Sequence, residues 1–235
     1  MGVFRFKNFD VDDSGCGMKI CSDSVLLAAW FLPAHRTART VADIGAGSGV
    51  LSLLAADILP DARITAVEID AAAATAAGAN FAASPWGDRL RLEHCDFADF
   101  AAVPRTFDVV ISNPPYFGEG LRSADAARAA ARHQQGLSYS SILKTPMLAP
   151  DGHLGLVAPA ELEADIIFAA EMAGIKVRRL CRIHTSHSRP ATRILLDIAR
   201  TDGPLEAREL FVRDAAGSYT REYRDLVEPY YLYIK

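Results

Sequence analysis

The sequence predicts an α/β protein, a mostly parallel sheet with helices on both faces. Three observations carry this. Short apolar runs alternate with helical patterns from residue 41 onward, a glycine cluster follows the first run, and carboxylates stand at the ends of the first three.

Residues 41–44 form a short apolar strand ended by the glycines of 45–49, and 50–58 carry a helical pattern. Residues 63–68 read as the second strand and the alanine-rich 71–83 as the helix after it. Strands at 90–94 and 107–112 follow, then a helix near 139–148, a strand at 152–158 and a helix at 160–173 that Gly174 stops. The strand 176–183 comes next, 193–199 and 209–213 read as closing strands, and 219–227 as a last helix. Nothing divides the chain, so one domain over 1–235 is expected, with 1–40 as an N-terminal extension packed on the core. Residues 118–136, a long connection after a strand's C-terminal end, are expected to be a substrate-side loop.

Hydrophobic residues make up 50% and charged residues 23%, the balance of a globular chain rather than a disordered one. No apolar stretch reaches the ~18 residues of a membrane span, and the N-terminus lacks the apolar core of a signal peptide. A cytoplasmic protein without membrane contact is expected. Cys16, Cys21, Cys95 and Cys181 show no metal-binding spacing, so free thiols and no metal site are expected. The net charge of −4 is acidic, yet 176–193 holds six Lys/Arg residues with His184 and His187 and no acid. A local basic face of that kind can serve RNA on an acidic protein.

The cluster Asp43-Ile44-Gly45-Ala46-Gly47-Ser48-Gly49 lies between the first strand and the first core helix, where glycines let the backbone turn and approach a ligand. The dinucleotide register GxGxxG fails because position 50 is Val, and no GK[ST] follows for a triphosphate. Glu68, with Ile69, stands about 20 residues on, where a carboxylate accepts bonds from both hydroxyls of a ribose. Asp96 and Phe97 end the third strand and offer an acceptor for an exocyclic amine and a ring for a purine face. Asp43, Glu68 and Asp96 together suit S-adenosyl-L-methionine, which is cationic and carries no phosphate. Asp70 reads as a helix N-cap.

Asn113-Pro114-Pro115-Tyr116 closes the fourth strand. Prolines fix φ near ~−65° and push the preceding residue out of the helical region, so the stretch is rigid and extended. The Asn113 amide oxygen and the Pro114 carbonyl can converge on one planar NH2 group, with Tyr116 stacked on it. That aligns a nitrogen lone pair for methyl transfer by positioning rather than by a strong base. Adenine, cytosine or guanine in a nucleic acid, or a glutamine side chain, all fit such a clamp.

These motifs resemble those of class I S-adenosylmethionine-dependent methyltransferases of the amino-methylating NPPY kind. More narrowly, the chain resembles the bacterial tRNA (adenine-N6) methyltransferases that modify adenosine 37 beside the anticodon of a valine tRNA. The likeness rests on FKNFDVDDSGCGMKICSDSVLLAAW (6–30), DIGAGSGVLSLL, AVEID, SPWGDRL, ISNPPYF and GSYTREYRDLVEPYYLYIK. It implies a Rossmann-like fold with a seven-stranded sheet, S-adenosyl-L-methionine as cofactor and the tRNA anticodon stem-loop as partner, in a monomer. It places Gly45, Gly47 and Gly49 along the methionine part of the cofactor, Glu68 on the ribose, Asp96 and Phe97 on the adenine, and residues 113–116 on the target base. Lys19 and Asp23 would sit near the pocket mouth, Asp23 being equally readable as a helix cap. The chain has Cys21-Ser22-Asp23 where the family commonly has Gly-Thr-Asp. The basic residues of 176–193 are expected to touch phosphates. A protein glutamine-N5 methyltransferase, an rRNA or DNA base-amine methyltransferase and a non-catalytic binding module are the alternatives.

Overall fold

The computed structural model describes residues 2–17, 19–115, 137–144 and 147–234. A two-stranded hairpin, β1 (Val3–Arg5) and β2 (Asp10–Asp12), comes first, followed by α1 (Ser22–Phe31). The core then runs β3 (Thr40–Ile44), α2 (Val50–Ile58), β4 (Arg63–Glu68), α3 (Ala71–Ala83), β5 (Leu90–His94), α4 (Phe97–Ala102) and β6 (Phe107–Ser112). After the segment outside the described residues come α5 (Tyr139–Lys144), β7 (Leu148–Pro159), α6 (Glu163–Met172), β8 (Lys176–Ser186), β9 (Ala191–Ala199), β10 (Glu206–Arg213) and α7 (Arg221–Val227).

The main sheet has the order β10-β8-β9-β7-β6-β3-β4-β5. All its pairings are parallel except those of β9, which runs against both β7 and β8. The sheet therefore has eight strands, not the seven that the family resemblance implies, because 206–213 pairs with β8 instead of ending outside the sheet.

Both faces of the sheet are covered, and the strands show it in their side-chain alternation. Val41, Val109 and Ile111 join the apolar cluster under α1, α2, α3 and α7, while Ala42, Ile44 and Val110 join the cluster under α4, α5 and α6. Successive residues point to opposite faces, so a strand buried on both must be apolar at nearly every position. The N-terminal segment packs into the first cluster through Phe6, Phe9 and Val11, with Phe6 stacked 4.6 Å from Phe9.

Strand order reverses between β3 and β6. Strands added after β3 go one way through β4 to β5, and β6 and β7 go the other. In an open α/β sheet the crevice at such a reversal, at the carboxyl ends of the strands, is where ligands bind. The glycine turn after β3 and the Asn-Pro-Pro stretch after β6 flank it. Ser112 donates from its hydroxyl to the Ile44 carbonyl at 2.6 Å, which pins the end of β6 to the residue before Gly45.

Candidate active site

A cleft of about 600 Å³ opens at that reversal. Gly45, Gly47, Glu68, Ile69, Asp96, Phe97, Asn113 and Pro115 line it, so these sequence-predicted residues converge on one site. Gly45 has φ +74 and Gly47 has φ +57, left-handed values that favour glycine, and a Cβ on Gly45 would come within 2.6 Å of the Leu137 side chain. Backbone and ligand can approach closely here for that reason.

Glu68 is buried, and both carboxylate oxygens are oriented by backbone N–H groups: Gly47 donates to one at 2.8 Å and Asp70 to the other at 2.8 Å. One of those donors belongs to the glycine turn, so the turn and the carboxylate form a single unit. Asp70 caps α3 by accepting from Ala73 at 2.8 Å, as expected, and also lines the cleft. Asp96 caps α4 by accepting from Ala98 at 2.7 Å. Phe97 is buried against the second apolar cluster and presents its ring to the cleft.

The ionisable groups of the cleft lining, among the described residues, are three carboxylates and two thiols, with no lysine or arginine. Burial raises both thiols, Cys16 and Cys95, above the ordinary range, so they remain protonated rather than nucleophilic. A pyrophosphate in this cleft would face carboxylates without a cation. Ribose hydroxyls, an exocyclic amine, an ammonium or a sulfonium would find acceptors, and S-adenosylmethionine carries all of these.

Asn113 is held from the α1 side. Its amide nitrogen donates to the Ser24 hydroxyl at 3.0 Å and to the Cys21 sulfur at 3.6 Å, which fixes the plane of the amide. A second, small hollow between Lys19, Ser24, the glycine turn and Asn113 lies alongside. The sequence offered no sign of Ser24 as Asn113's partner, since the two stand 89 residues apart. Asn80 is another such residue: it donates to the Ser48 carbonyl at 2.9 Å and the Asp12 carbonyl at 3.0 Å, tying the glycine turn and β2 to α3.

Several predicted site residues are not on the cleft wall. Asp43 is fully buried beneath the glycine turn, accepting from the Ser52 hydroxyl at 2.7 Å, and its other oxygen has no partner among the described residues. Burial, against the Ser52 bond, pushes its carboxyl up to about 7. Gly49, with φ +82, starts α2 against Phe81 and shapes the turn rather than lining the cleft. Pro114 is buried behind Asn113. Lys19 faces the small hollow and reaches back to the Asp13 carbonyl at 2.6 Å. Asp23 is in the first turn of α1 rather than at its cap, which Cys21 occupies, and it pairs with Arg193 at 2.9 Å. Tyr116 and the loop 118–136 lie outside the described residues.

The basic run on β8 is also engaged within the molecule. Arg178 donates to the Thr201 carbonyl, Arg179 lies 4.4 Å over the Trp30 ring and reaches Asp197, and Arg182 bonds Glu163 and Glu209. The basic face expected here is thus already partnered within the molecule at these three arginines. Among the described residues one group, His35, His153 and Asp197, gathers metal-ligating side chains, at the opposite end of the strands. Asp197 meets His153 at 2.7 Å and His35 at 3.2 Å, with the Arg179 guanidinium 3.4 Å away. Those are hydrogen-bond lengths, and a fixed guanidinium on the same carboxylate opposes a dication.

The model of the methyltransferase small domain family matches residues 16–178, more than half of the chain. The chain belongs to the methyltransferase small domain family. Within it, this methyltransferase is 39% identical over 97% of its length to a Shewanella amazonensis protein named tRNA1(Val) (adenine(37)-N6)-methyltransferase, 98% of which is covered. A Bacteroides thetaiotaomicron protein of the same name is 37% identical, with 99% of this chain and 98% of that one covered. Among solved structures, an Agrobacterium tumefaciens protein described as a predicted O-methyltransferase superposes with a TM-score of 0.67 at 22% identity, covering 91% of this chain and 99% of that chain. A SAM-dependent methyltransferase from the same organism superposes at 0.60 and 16% identity, covering 85% and 70%. These two likenesses concern the fold.

Proposed function

We propose that this chain transfers a methyl group from S-adenosyl-L-methionine to the N6 amine of an adenine in tRNA, adenosine 37 beside the anticodon of a valine tRNA. The observation that carries the proposal is the cleft itself: among the described residues, only carboxylates and thiols in its ionisable lining, and Asn113 and Pro115 at its end. The near full-length relatives named for that reaction support the choice of adenine and of tRNA.

When bound, the cofactor supplies a methyl group on a positively charged sulfur. Glu68 would hold the ribose hydroxyls, Asp96 the adenine amine and Phe97 the adenine face, and the turn of Gly45 and Gly47 would pass the methionine part. Asn113, its amide plane set by Ser24, accepts from the target amine through its oxygen, and the Pro114 carbonyl accepts the second N–H. Tyr116 stacks on the base. Held this way, the amine would present its lone pair toward the cofactor's methyl group, so these residues would act by positioning rather than as a base. The methylated nitrogen is then acidic and releases its proton to solvent.

A base in an anticodon loop is turned outward to enter such a site. Lys19, Asp23, Asp43 and Gly49 act from behind, holding the turn and α1 in place. We further propose that the whole chain works as one unit, as a monomer in the cytoplasm. Among the described residues no helix is long and apolar enough to cross a membrane.

Mass spectrometry of tRNA nucleosides from cells with and without the gene tests the proposal. N6-methyladenosine missing from valine tRNA in the deletion supports it, and an unchanged nucleoside profile contradicts it.

A further inference from the structure

The strands β6, β7, β8 and β10 all run the same way, so the C-terminal ends of β8 and β10 lie on the same rim of the sheet as Asn113. Strands are spaced ~4.8 Å apart, which places β8 and β10 roughly 15–20 Å along that rim from β6. At this place three rings are stacked. Phe211 of β10 lies opposite His184 of β8 in register, with ring centroids 4.6 Å apart and planes at 25°. His187, in the turn after β8, covers Phe211 at 4.0 Å and 17° and is exposed.

Arg189 is exposed two residues beyond His187, and Arg213, two residues beyond Phe211, is exposed but donates to the Gly217 carbonyl at 2.6 Å and lies 4.3 Å over the Tyr219 ring. His184 is oriented by Glu209 and by the Arg189 carbonyl, so the base of the stack is fixed. Glu209, which also bonds Arg182, is the acid on the stack itself, and Asp214 is turned to the backbone N–H groups of Ala216 and Ser218. Aromatic rings alternating with exposed cations are what a single-stranded nucleic acid needs, a face for each base and a charge for each phosphate.

We propose that the stack of His184, Phe211 and His187 is a platform for an unpaired base of the RNA substrate, with Arg189 holding an adjoining phosphate. This rests on the proposed tRNA activity and adds where the RNA lies. The target nucleotide enters at Asn113, and another part of the same stem-loop is gripped three to four strands away.

His187→Ala is the primary test, because the residue is exposed and its loss leaves the sheet intact. The probe is a valine tRNA anticodon stem-loop that keeps the target adenosine and carries 2-aminopurine at one other unpaired position at a time, with methyl transfer followed in parallel. The platform predicts that His187→Ala raises KM for the RNA about 10-fold or more. KM for S-adenosylmethionine and the melting midpoint should stay unchanged, His187→Tyr should restore RNA affinity, and stacking-induced quenching should be lost in the Ala variant only. Arg189→Ala should lower the salt slope of RNA binding by about one. An unchanged RNA KM and unchanged quenching in His187→Ala, with an active wild type, overturn the platform and leave the proposed function standing. A wild type that methylates no tRNA overturns both.

Discussion

At the residue scale, the proposed reaction assigns its main roles to Asn113 and Glu68, and each has partners that make its loss measurable. Asn113→Ala removes the acceptor that holds the target amine; removal of one positioned catalytic group costs on the order of 10²–10³ in kcat, and cofactor binding should be kept. Ser24→Ala leaves Asn113 in place but releases its amide nitrogen, so a smaller loss, about 10-fold in kcat, should appear in single-turnover methyl transfer. Glu68→Gln exchanges an ionised acceptor for a neutral amide; charged hydrogen bonds contribute ~1.5–3 kcal/mol, so titration calorimetry should show cofactor bound 10-fold weaker or worse. Glu68, Asp96 and Asn113 were legible in the sequence because each ends a strand at a spacing that the crevice rule uses. Ser24 and Asn80 were not, because a contact between residues 89 or 68 positions apart leaves no local pattern. Asp43 was misplaced for a related reason: a carboxylate two residues before a glycine turn can face the ligand or the strand's buried side, and burial against Ser52 decided it.

At the scale of elements, the glycine turn and the β7–β9 pair carry separate predictions. Gly49 has φ +82, and a Cβ there would meet the Phe81 ring at 2.4 Å. Gly49→Ala should therefore cost about 1–3 kcal/mol and lower the melting midpoint by several degrees. Asp197 links His35, β7 and Arg179 of β8. Burial acts to raise its carboxyl, but hydrogen bonds from His153 and His35 outweigh it and bring it to about 2, below the 3.8 of a free aspartate. A depressed carboxyl stabilises above the unfolded value and loses that stability as pH falls, so about 2 kcal/mol should disappear between pH ~4 and ~2. In Asp197→Asn the urea stability should be lower at neutral pH and its slope in that window flatter. The helices 50–58 and 71–83 and the strands 63–68, 90–94 and 107–112 matched their sequence patterns because period and caps are local. β7 instead begins at Leu148, ahead of the expected 152, since Leu148 pairs with Phe107 across an irregularity in register, and pairing is not written in one segment alone. Of the helix expected over 139–148, Tyr139–Lys144 is described as helical, and residues 145–146 lie outside the described residues.

For the whole molecule, the sheet order explains why the proposed sites share one rim. Glycine turn, Glu68, Asp96, Asn113 and the ring stack on β8 and β10 all occupy carboxyl ends, while the Asp197 group closes the other end. The alternation of strand and helix made this layout legible, and the eighth strand extends the rim beyond what the family resemblance implied. Charge was the least legible property. Arg178, Arg179 and Arg182 read as an RNA surface in the sequence, and the fold gives them internal partners, while Arg189 on the rim is exposed. The most direct test is transfer of labelled methyl from S-adenosylmethionine to total tRNA by purified protein, alongside Asn113→Ala. Labelled N6-methyladenosine in the digested tRNA of the wild type, and its loss in a variant that still binds cofactor, is the predicted result. Label in protein glutamine, or no label in RNA from a wild type that binds the cofactor, would contradict it.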